Sequence, residues 1–410
     1  MTLEESTAPY AAPPIFLLLG GFIIATGLSR WNLHRRLALN ILARVGDSPA
    51  TLIAGFMGTT ALISMWISNT ASTIMMIPIA MSVTGEIIKE GADKKQGFLL
   101  CLILGIAYSA SIGGLGTIIG TPPNLFVVSY MKQTYGIDIS FFDWMLLGIP
   151  VVVVMVYCAW WVLTKWVYPL DMRGMHISRH VITNELNKLG VLTKPEKRTT
   201  VVFLLVAMAW ILRVPIQQHF DIFLWLNDAM IAVGGAVLMF LIPSGDAQEK
   251  GTALLDWDSA SKIPWGVLLL FGGGLSLAVA IKNTGLAVWI GAGLSDFAGL
   301  ELVFFLFGLV TLVIFLTELT SNTATTATLL PILGALAVTG GIDPMLLFAP
   351  TALAASCAFM LPVATAPNAV VYATGSVTIY QMANAGFRLN LVAIGVVTVL
   401  SYVLIPVVFG

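Results

Sequence analysis

Two short stretches decide how this chain is read: Ser68-Asn69-Thr70 and Ser321-Asn322-Thr323, 253 residues apart. Each lies in the middle of a long apolar segment, and each is followed, ten residues after its Ser, by a proline, Pro78 or Pro331. Three adjacent polar side chains inside an apolar segment are costly unless something binds them. The same arrangement occurring twice marks a repeat rather than an accident.

The composition around them is that of a membrane protein. The 410 residues are 58% hydrophobic and only 10% charged, with a mean hydropathy of +0.93, whereas soluble domains carry about 25% charged residues. Too few charges remain to cover a soluble surface, so the recurring apolar runs predict a polytopic all-α membrane protein in contact with the lipid bilayer. The net charge of −1 identifies no partner, and no nucleic acid is expected. Cys101, Cys158 and Cys357 are isolated thiols in apolar runs, so neither a disulfide framework nor a metal site is expected from them. No His, Cys or carboxylate cluster accompanies the polar motifs, so an enzyme and an organic cofactor are not expected either. The first apolar run begins near Pro14 behind Glu4 and Glu5, which is not the pattern of a cleavable signal peptide.

The chain divides by its interruptions. Residues 1–47 read as one span and an interfacial amphipathic helix carrying Arg30, Arg35, Arg36 and Arg44. Residues 48–144 hold the first Ser-Asn-Thr segment and a helix broken at 113–124, where Gly and Pro are too dense for a helix to continue. Residues 145–198 are a span and a polar linker. Residues 199–300 are further spans and a second, weaker interfacial segment. Residues 301–388 repeat the hairpin and the break, now at 362–368, and 389–410 are a last span. Ser64 pairs with Thr317, Ser68 with Ser321 and Pro78 with Pro331 at one offset, and Thr121, Pro123 and Asn124 pair with Thr365, Pro367 and Asn368 at another. The second half has two spans ahead of its Gly-rich span that the first half lacks. This predicts either a naturally short first repeat or a missing N-terminal helix pair.

Charge sets the orientation. If each Ser-Asn-Thr segment is a re-entrant hairpin, all of the 20 Lys and Arg except Lys132, Arg213 and Lys282 fall on one side of the membrane. The positive-inside rule makes that side, including the linker 168–198, cytoplasmic at the cell's inner (plasma) membrane. The first hairpin then enters from the cytoplasm and the second from outside, giving inverted-topology repeats with two re-entrant hairpins and two discontinuous helices.

Interrupted helices in corresponding places of two repeats point to a midplane binding site. One isolated motif would be read as capping of a buried turn. A matched pair beside two matched breaks points further. Freed carbonyls and hydroxyls suit a small hard cation, and helix N-termini suit an anion. The first expected sodium site is Ser64, Ser68 and Asn69 with the break around Gly120, and the second is Thr317, Thr320, Ser321 and Asn322 with the break around Ala364. Asn69, Thr70, Thr121, Asn322, Thr323 and Thr365 are the expected substrate contacts. No Lys, Arg or His occurs from Val45 to Ile88, from Gln96 to Met131 or from Asn283 to Phe387. A doubly charged anion bound there would find no protein cation, and bound sodium ions would supply the compensating charge. Glu318, the only acid of the second hairpin, stands where the first has Met65. An intramembrane acid is functional by default, but a structural partner such as a backbone amide serves equally well, so Glu318 is left out of the site.

The two Ser-Asn-Thr motifs, Thr317-Glu318-Leu319-Thr320-Ser321-Asn322, Gly120-Thr121-Pro122-Pro123-Asn124 and Arg30-Trp31-Asn32-Leu33-His34-Arg35-Arg36 together resemble the divalent anion/sodium symporter family over nearly the whole chain. The resemblance implies an ion-transporter superfamily fold, a homodimer with scaffold and transport domains, and elevator-type movement. It also implies sodium-coupled uptake of dicarboxylates such as succinate, malate or fumarate. Its site residues would be Ser68, Asn69, Thr70, Ser321, Asn322 and Thr323, with Thr121 and Thr365 at the breaks. Family members usually carry two more N-terminal helices, and often Pro where Ala366 stands. The competing expectations are a permease for sulfate, citrate or another oxyanion, a channel, and a truncated, transport-dead scaffold.

Overall fold

The apolar runs fold as helices, and the Ser-Asn-Thr, Gly and Pro interruptions fold as the points where those helices stop. The structure, a computed structural model, describes residues 2–46, 48–87, 92–169, 180–246, 251–286, 289 and 301–410. The expected second interfacial segment, part of the linker with Arg173 and Arg179, and Glu249 lie outside the described residues.

The first half runs α1 (Pro13–Arg30), α2 (Leu33–Leu42), the hairpin arms α3 (Pro49–Ser64) and α4 (Asn69–Ile87), and α5 (Ala92–Gly113). After the glycine-rich break come α6 (Pro122–Tyr130), α7 (Phe141–Trp161) and the linker helix α8 (His180–Lys188). The second half runs α9 (Lys194–His219), α10 (Asp228–Leu241), α11 (Trp265–Asn283), the hairpin arms α12 (Leu302–Thr317) and α13 (Asn322–Gly340), and α14 (Pro344–Ala355). After the second break come α15 (Ala366–Ala373) and α16 (Ile379–Phe409). Six helices among the described residues are long and apolar enough to cross a bilayer. The chain is a multi-pass membrane protein.

Local chemistry fixes the stops. Thr121 and Thr365 stand extended ahead of α6 and α15 (φ −148° and −140°), whose first turns carry the prolines. A proline there needs no backbone donor and disfavours helix in the residue before it. The second break keeps this form with Ala366 in place of a first proline. Pro78 and Pro331 lie inside the second hairpin arms, whereas the first arms contain no interior proline.

The halves interlock. α6 packs on α13 and α14 of the other half, and α15 packs on α4 and α5. α7 and α16 lie against each other, and α7 backs the first break through Trp144, whose Nε1 donates to the Leu115 carbonyl at 3.1 Å. Glycines permit the closest approaches. A methyl on Gly20 would fall 2.6 Å from the Ala232 backbone, and one on Gly113 would fall 2.3 Å from the Ala61 carbonyl.

Several boundaries differ from the sequence reading. The division at 388/389 falls inside α16, one 31-residue helix, about 46 Å long against a hydrocarbon core of about 30 Å. Arg388 is therefore part of a helix and not of a loop; it donates to the Trp166 carbonyl at 3.2 Å and lies over the Trp166 ring. The division at 144/145 likewise falls inside α7. The polar start folds too: Thr2 and Glu5 form a reciprocal cap on a short helix at Leu3–Thr7, and the Tyr10 ring fills the space beside Gly272.

Gly113→Ala should lower the midpoint of thermal unfolding in detergent, because overpacking costs about 1–3 kcal/mol. Gly58→Ala, whose methyl meets nothing within 4 Å, is the control and should leave it unchanged or raise it. Equal midpoints for both variants would show that α3 and α5 are not in backbone contact.

Candidate functional site

Each hairpin tip meets the break of its own half through one hydroxyl. Ser64 ends α3 and is fully buried; its Oγ lies 2.7 Å from Asn69 Oδ1 and 2.7 Å from the Ala110 carbonyl of α5. Thr317 ends α12 in the same way, 2.7 Å from Asn322 Oδ1 and 2.8 Å from the Ala355 carbonyl of α14. The hydroxyl–amide–carbonyl triad is therefore built twice. One hydroxyl proton cannot serve two oxygens. Either each Asn turns its Nδ2 toward the hydroxyl, or a cation shared by the oxygens takes the place of the missing proton. Three oxygens with no fixed charge are the donor type a small hard cation takes.

The breaks come to the same place. A methyl on Gly114 would fall 2.8 Å from Asn69 Oδ1 and 3.0 Å from the Gly120 carbonyl. Only glycine lets the Gly114–Gly120 loop close on the Asn69 amide. Ser64, Asn69 and Gly120 are thus neighbours. Thr317 and Asn322 are brought together likewise, while Ala364 lies in the second break, where its N–H donates to the Leu361 carbonyl at 3.2 Å.

Other expected ligands are engaged elsewhere in this arrangement. Ser68 Oγ accepts the Ala71 N–H at 3.2 Å, capping α4. Thr320 donates back to the Leu316 carbonyl at 2.9 Å and lies 2.6 Å from Thr325 Oγ1. Thr365 Oγ1 accepts the Asn368 N–H at 3.3 Å. Thr121 is buried at the start of α6. Ser321 sits at the start of α13 as its N-cap, and its side chain makes no capping bond. Thr70 and Thr323 occupy the first turns of α4 and α13, partly exposed.

Three side chains that the sequence reading left out of the site hold the breaks together. Asn124 is fully buried and its Nδ2 donates to the carbonyls of Gly114 (3.0 Å) and Thr117 (2.8 Å). Asn368 does the same for Ala358 (3.2 Å) and Leu361 (3.0 Å). The signal was present, since both Asn follow a proline at the same place of each half. The third is Glu318. Its carboxylate accepts the N–H groups of Phe359 (2.7 Å), Met360 (2.9 Å) and Leu361 (3.1 Å) and the Asn390 amide (2.7 Å). All four partners are donors, and the deprotonated carboxylate is the form that accepts them all. In the first half, Thr117 instead donates to the Met65 carbonyl at 2.5 Å.

Residues 1–409 match the family described as sodium:sulfate symporter transmembrane region. The chain belongs to this family, the divalent anion/sodium symporters. These are transporters and not enzymes. Among similar members is a protein of Staphylococcus saprophyticus named sodium-dependent dicarboxylate transporter SdcS. It is 42% identical over 412 residues, covering 99% of this chain and 79% of the relative. The protein of the same name from Staphylococcus aureus strain USA300 is 40% identical over 419 residues, covering 100% and 80%. The fold is also similar to the crystal structure of the Alcanivorax borkumensis YdaH transporter, with a TM-score of 0.68, 14% identity, and coverage of 98% of this chain and 86% of that one.

Glu318→Ala would strand three backbone N–H groups at the second break, at about 1–3 kcal/mol for each buried donor left unmade. Hydrogen exchange at the amides of Phe359, Met360 and Leu361 should accelerate by at least about tenfold, while Ala110 and Leu115 should stay protected. Unchanged exchange at the three amides would refute the anchoring role.

Proposed function

We propose that this symporter imports dicarboxylates of the succinate, malate and fumarate type, coupled to sodium. The observation that carries the reading is the duplicated triad, Ser64–Asn69–Ala110 and Thr317–Asn322–Ala355, in segments with no basic side chain. Sodium ions would be held by Ser64, Asn69 and the Gly120 break, and by Thr317, Asn322 and the Ala364 break. Ser68, Thr320 and Ser321 would complete them on closure. The amides of Asn69 and Asn322, with Thr70, Thr323, Thr121 and Thr365, would present donors to the substrate carboxylates. The first turns of α4, α6, α13 and α15 add the partial positive charge of helix N-termini. Without the ions two carboxylates would be buried uncompensated, which is prohibitive. Coupling then follows from electrostatics. The names of the staphylococcal relatives support this substrate class.

The wider mechanism is part of the same proposal. The hairpins are re-entrant, the halves are inverted repeats, and the basic side with the linker is cytoplasmic. A transport domain of hairpins and broken helices moves as an elevator against a scaffold in a homodimer. The interlocking of α6 and α15 with the opposite half supports a single moving body. The family description, which names sulfate, favours a second reading in which the anion is sulfate or another oxyanion.

In proteoliposomes, inward sodium should drive succinate uptake, and potassium or a proton gradient alone should not. Uptake indifferent to sodium would sink the symport reading. Asn69→Ala and Asn322→Ala should each weaken sodium-dependent succinate binding by about tenfold or more, the loss of one charge-assisted hydrogen bond. A thermal-shift screen in sodium separates the substrates: stabilisation by sulfate and not by succinate would favour the second reading.

A further inference from the structure

A cavity of about 470 Å³ opens beside the first hairpin, and the proposed transport site does not use it. One wall is a single stripe of α4: Ala71, Ile74, Pro78 and Ser82, spaced to share one helical face. The stripe starts one residue beyond Thr70 and runs roughly 16 Å away from the tip. The opposite wall is Ser29 at the end of α1, the cap residue Asn32, and His34 and Arg35 in the first turn of α2, and Glu185 of the linker helix α8 closes the rim. α8 packs against both α2 and α4.

The charges in this cavity are few and specific. Burial holds His34 below its ordinary pKa, so the ring is neutral at pH 7; its Nδ1 faces the Leu28 carbonyl at 3.3 Å. Arg35 is therefore the one cation lining the cavity among the described residues. The neighbouring Arg36 is committed elsewhere, to Glu196 at 2.7 Å and to the carbonyls of Leu189 and Gly190. Arg35 is not fixed in that way. Its Nη2 meets Glu185 Oε2 at 2.8 Å, its side chain is 39% exposed, and Glu185 is shared with Lys188 at 2.6 Å. The cavity thus already holds a carboxylate against a guanidinium, and that carboxylate belongs to the linker.

We propose that this cavity is a second anion site, in which Arg35 receives a carboxylate of the transported dianion in exchange for Glu185, between the first hairpin tip and the cytoplasm. The proposal rests on the dicarboxylate reading above for the identity of its ligand. A guanidinium binds a carboxylate through paired donors, and Ser29, Asn32 and Ser82 supply polar contacts along the groove. Because Arg35 provides the charge, this site needs no sodium, in contrast to the tips. Substrate accumulating on this side would release α8 from Arg35 and load the exit path.

The test is equilibrium binding of radiolabelled succinate to the full chain in phosphatidylcholine nanodiscs, in choline chloride and in sodium chloride. In choline, one weak site per chain is expected. It should vanish in Arg35→Gln, persist at lower affinity in Arg35→Lys, and tighten about two- to fivefold in Glu185→Gln, the range of a partly exposed ion pair. It should survive Asn69→Ala with Asn322→Ala, which removes only the sodium-dependent binding. Absence of sodium-free binding, or sodium-free binding indifferent to Arg35→Gln, overturns the proposal. So does displacement of the label by phosphatidylglycerol but not by unlabelled succinate, which assigns the cavity to a lipid headgroup. Loss of sodium-dependent binding in the wild type, with the choline site intact, counts against the transport reading instead.

Discussion

A backbone that stops being helical in an apolar interior must find new partners for every freed N–H and C=O, and four such stops, two at Ser-Asn-Thr turns and two at the Gly- and Pro-rich breaks, organise this molecule. A polar group buried without a partner is costly. The solution is to set the stops against one another. The hydroxyl that ends one hairpin arm reaches a carbonyl at the end of α5 or α14, and an Asn beyond each break reaches back to the carbonyls the break exposes. The result is a pair of places where oxygens and helix N-termini converge.

The two halves meet this constraint with different electrostatics. The first break is tied by neutral groups, the Thr117 hydroxyl on the Met65 carbonyl. The second is tied by a carboxylate that collects three backbone N–H groups and the Asn390 amide. A buried carboxylate is tolerable only with that many donors. The repeats agree in the shape of their tips and differ in the group beside them: the second tip has the Glu318 carboxylate and the first has none.

Much of this was legible in the residues. Gly and Pro mark where a helix cannot continue, and adjacent polar residues in an apolar run mark a turn, so the hairpins, the breaks and the meeting of Ser64 with Asn69 follow from the sequence. What could not be read is what depends on long-range contacts. Glu318 finds its partners some 40 residues onward, and no local pattern announces a carboxylate that caps a distant loop. The sequence reading set Arg388 just ahead of the last span; the Trp166 ring and carbonyl accommodate it within a continuous helix. Ser68 and Thr320 resemble their neighbours in type, yet the ends of their own helices claim their hydroxyls. Adjacency in sequence did not make them equivalent in space.

The prolines of the second arms carry a mechanical consequence. Pro78 and Pro331 each remove one rung from the helical hydrogen-bond ladder of α4 and α13, while α3 and α12 keep theirs whole. Each tip is thus carried by a stiff strut and a compliant one. The hydroxyl of each triad sits on the stiff strut and the amide on the compliant one. A pull between the hydroxyl and the amide bends the softer arm toward the rigid one. Displacement of a tip is thereby directed along one chosen limb of the hairpin and not spread through both.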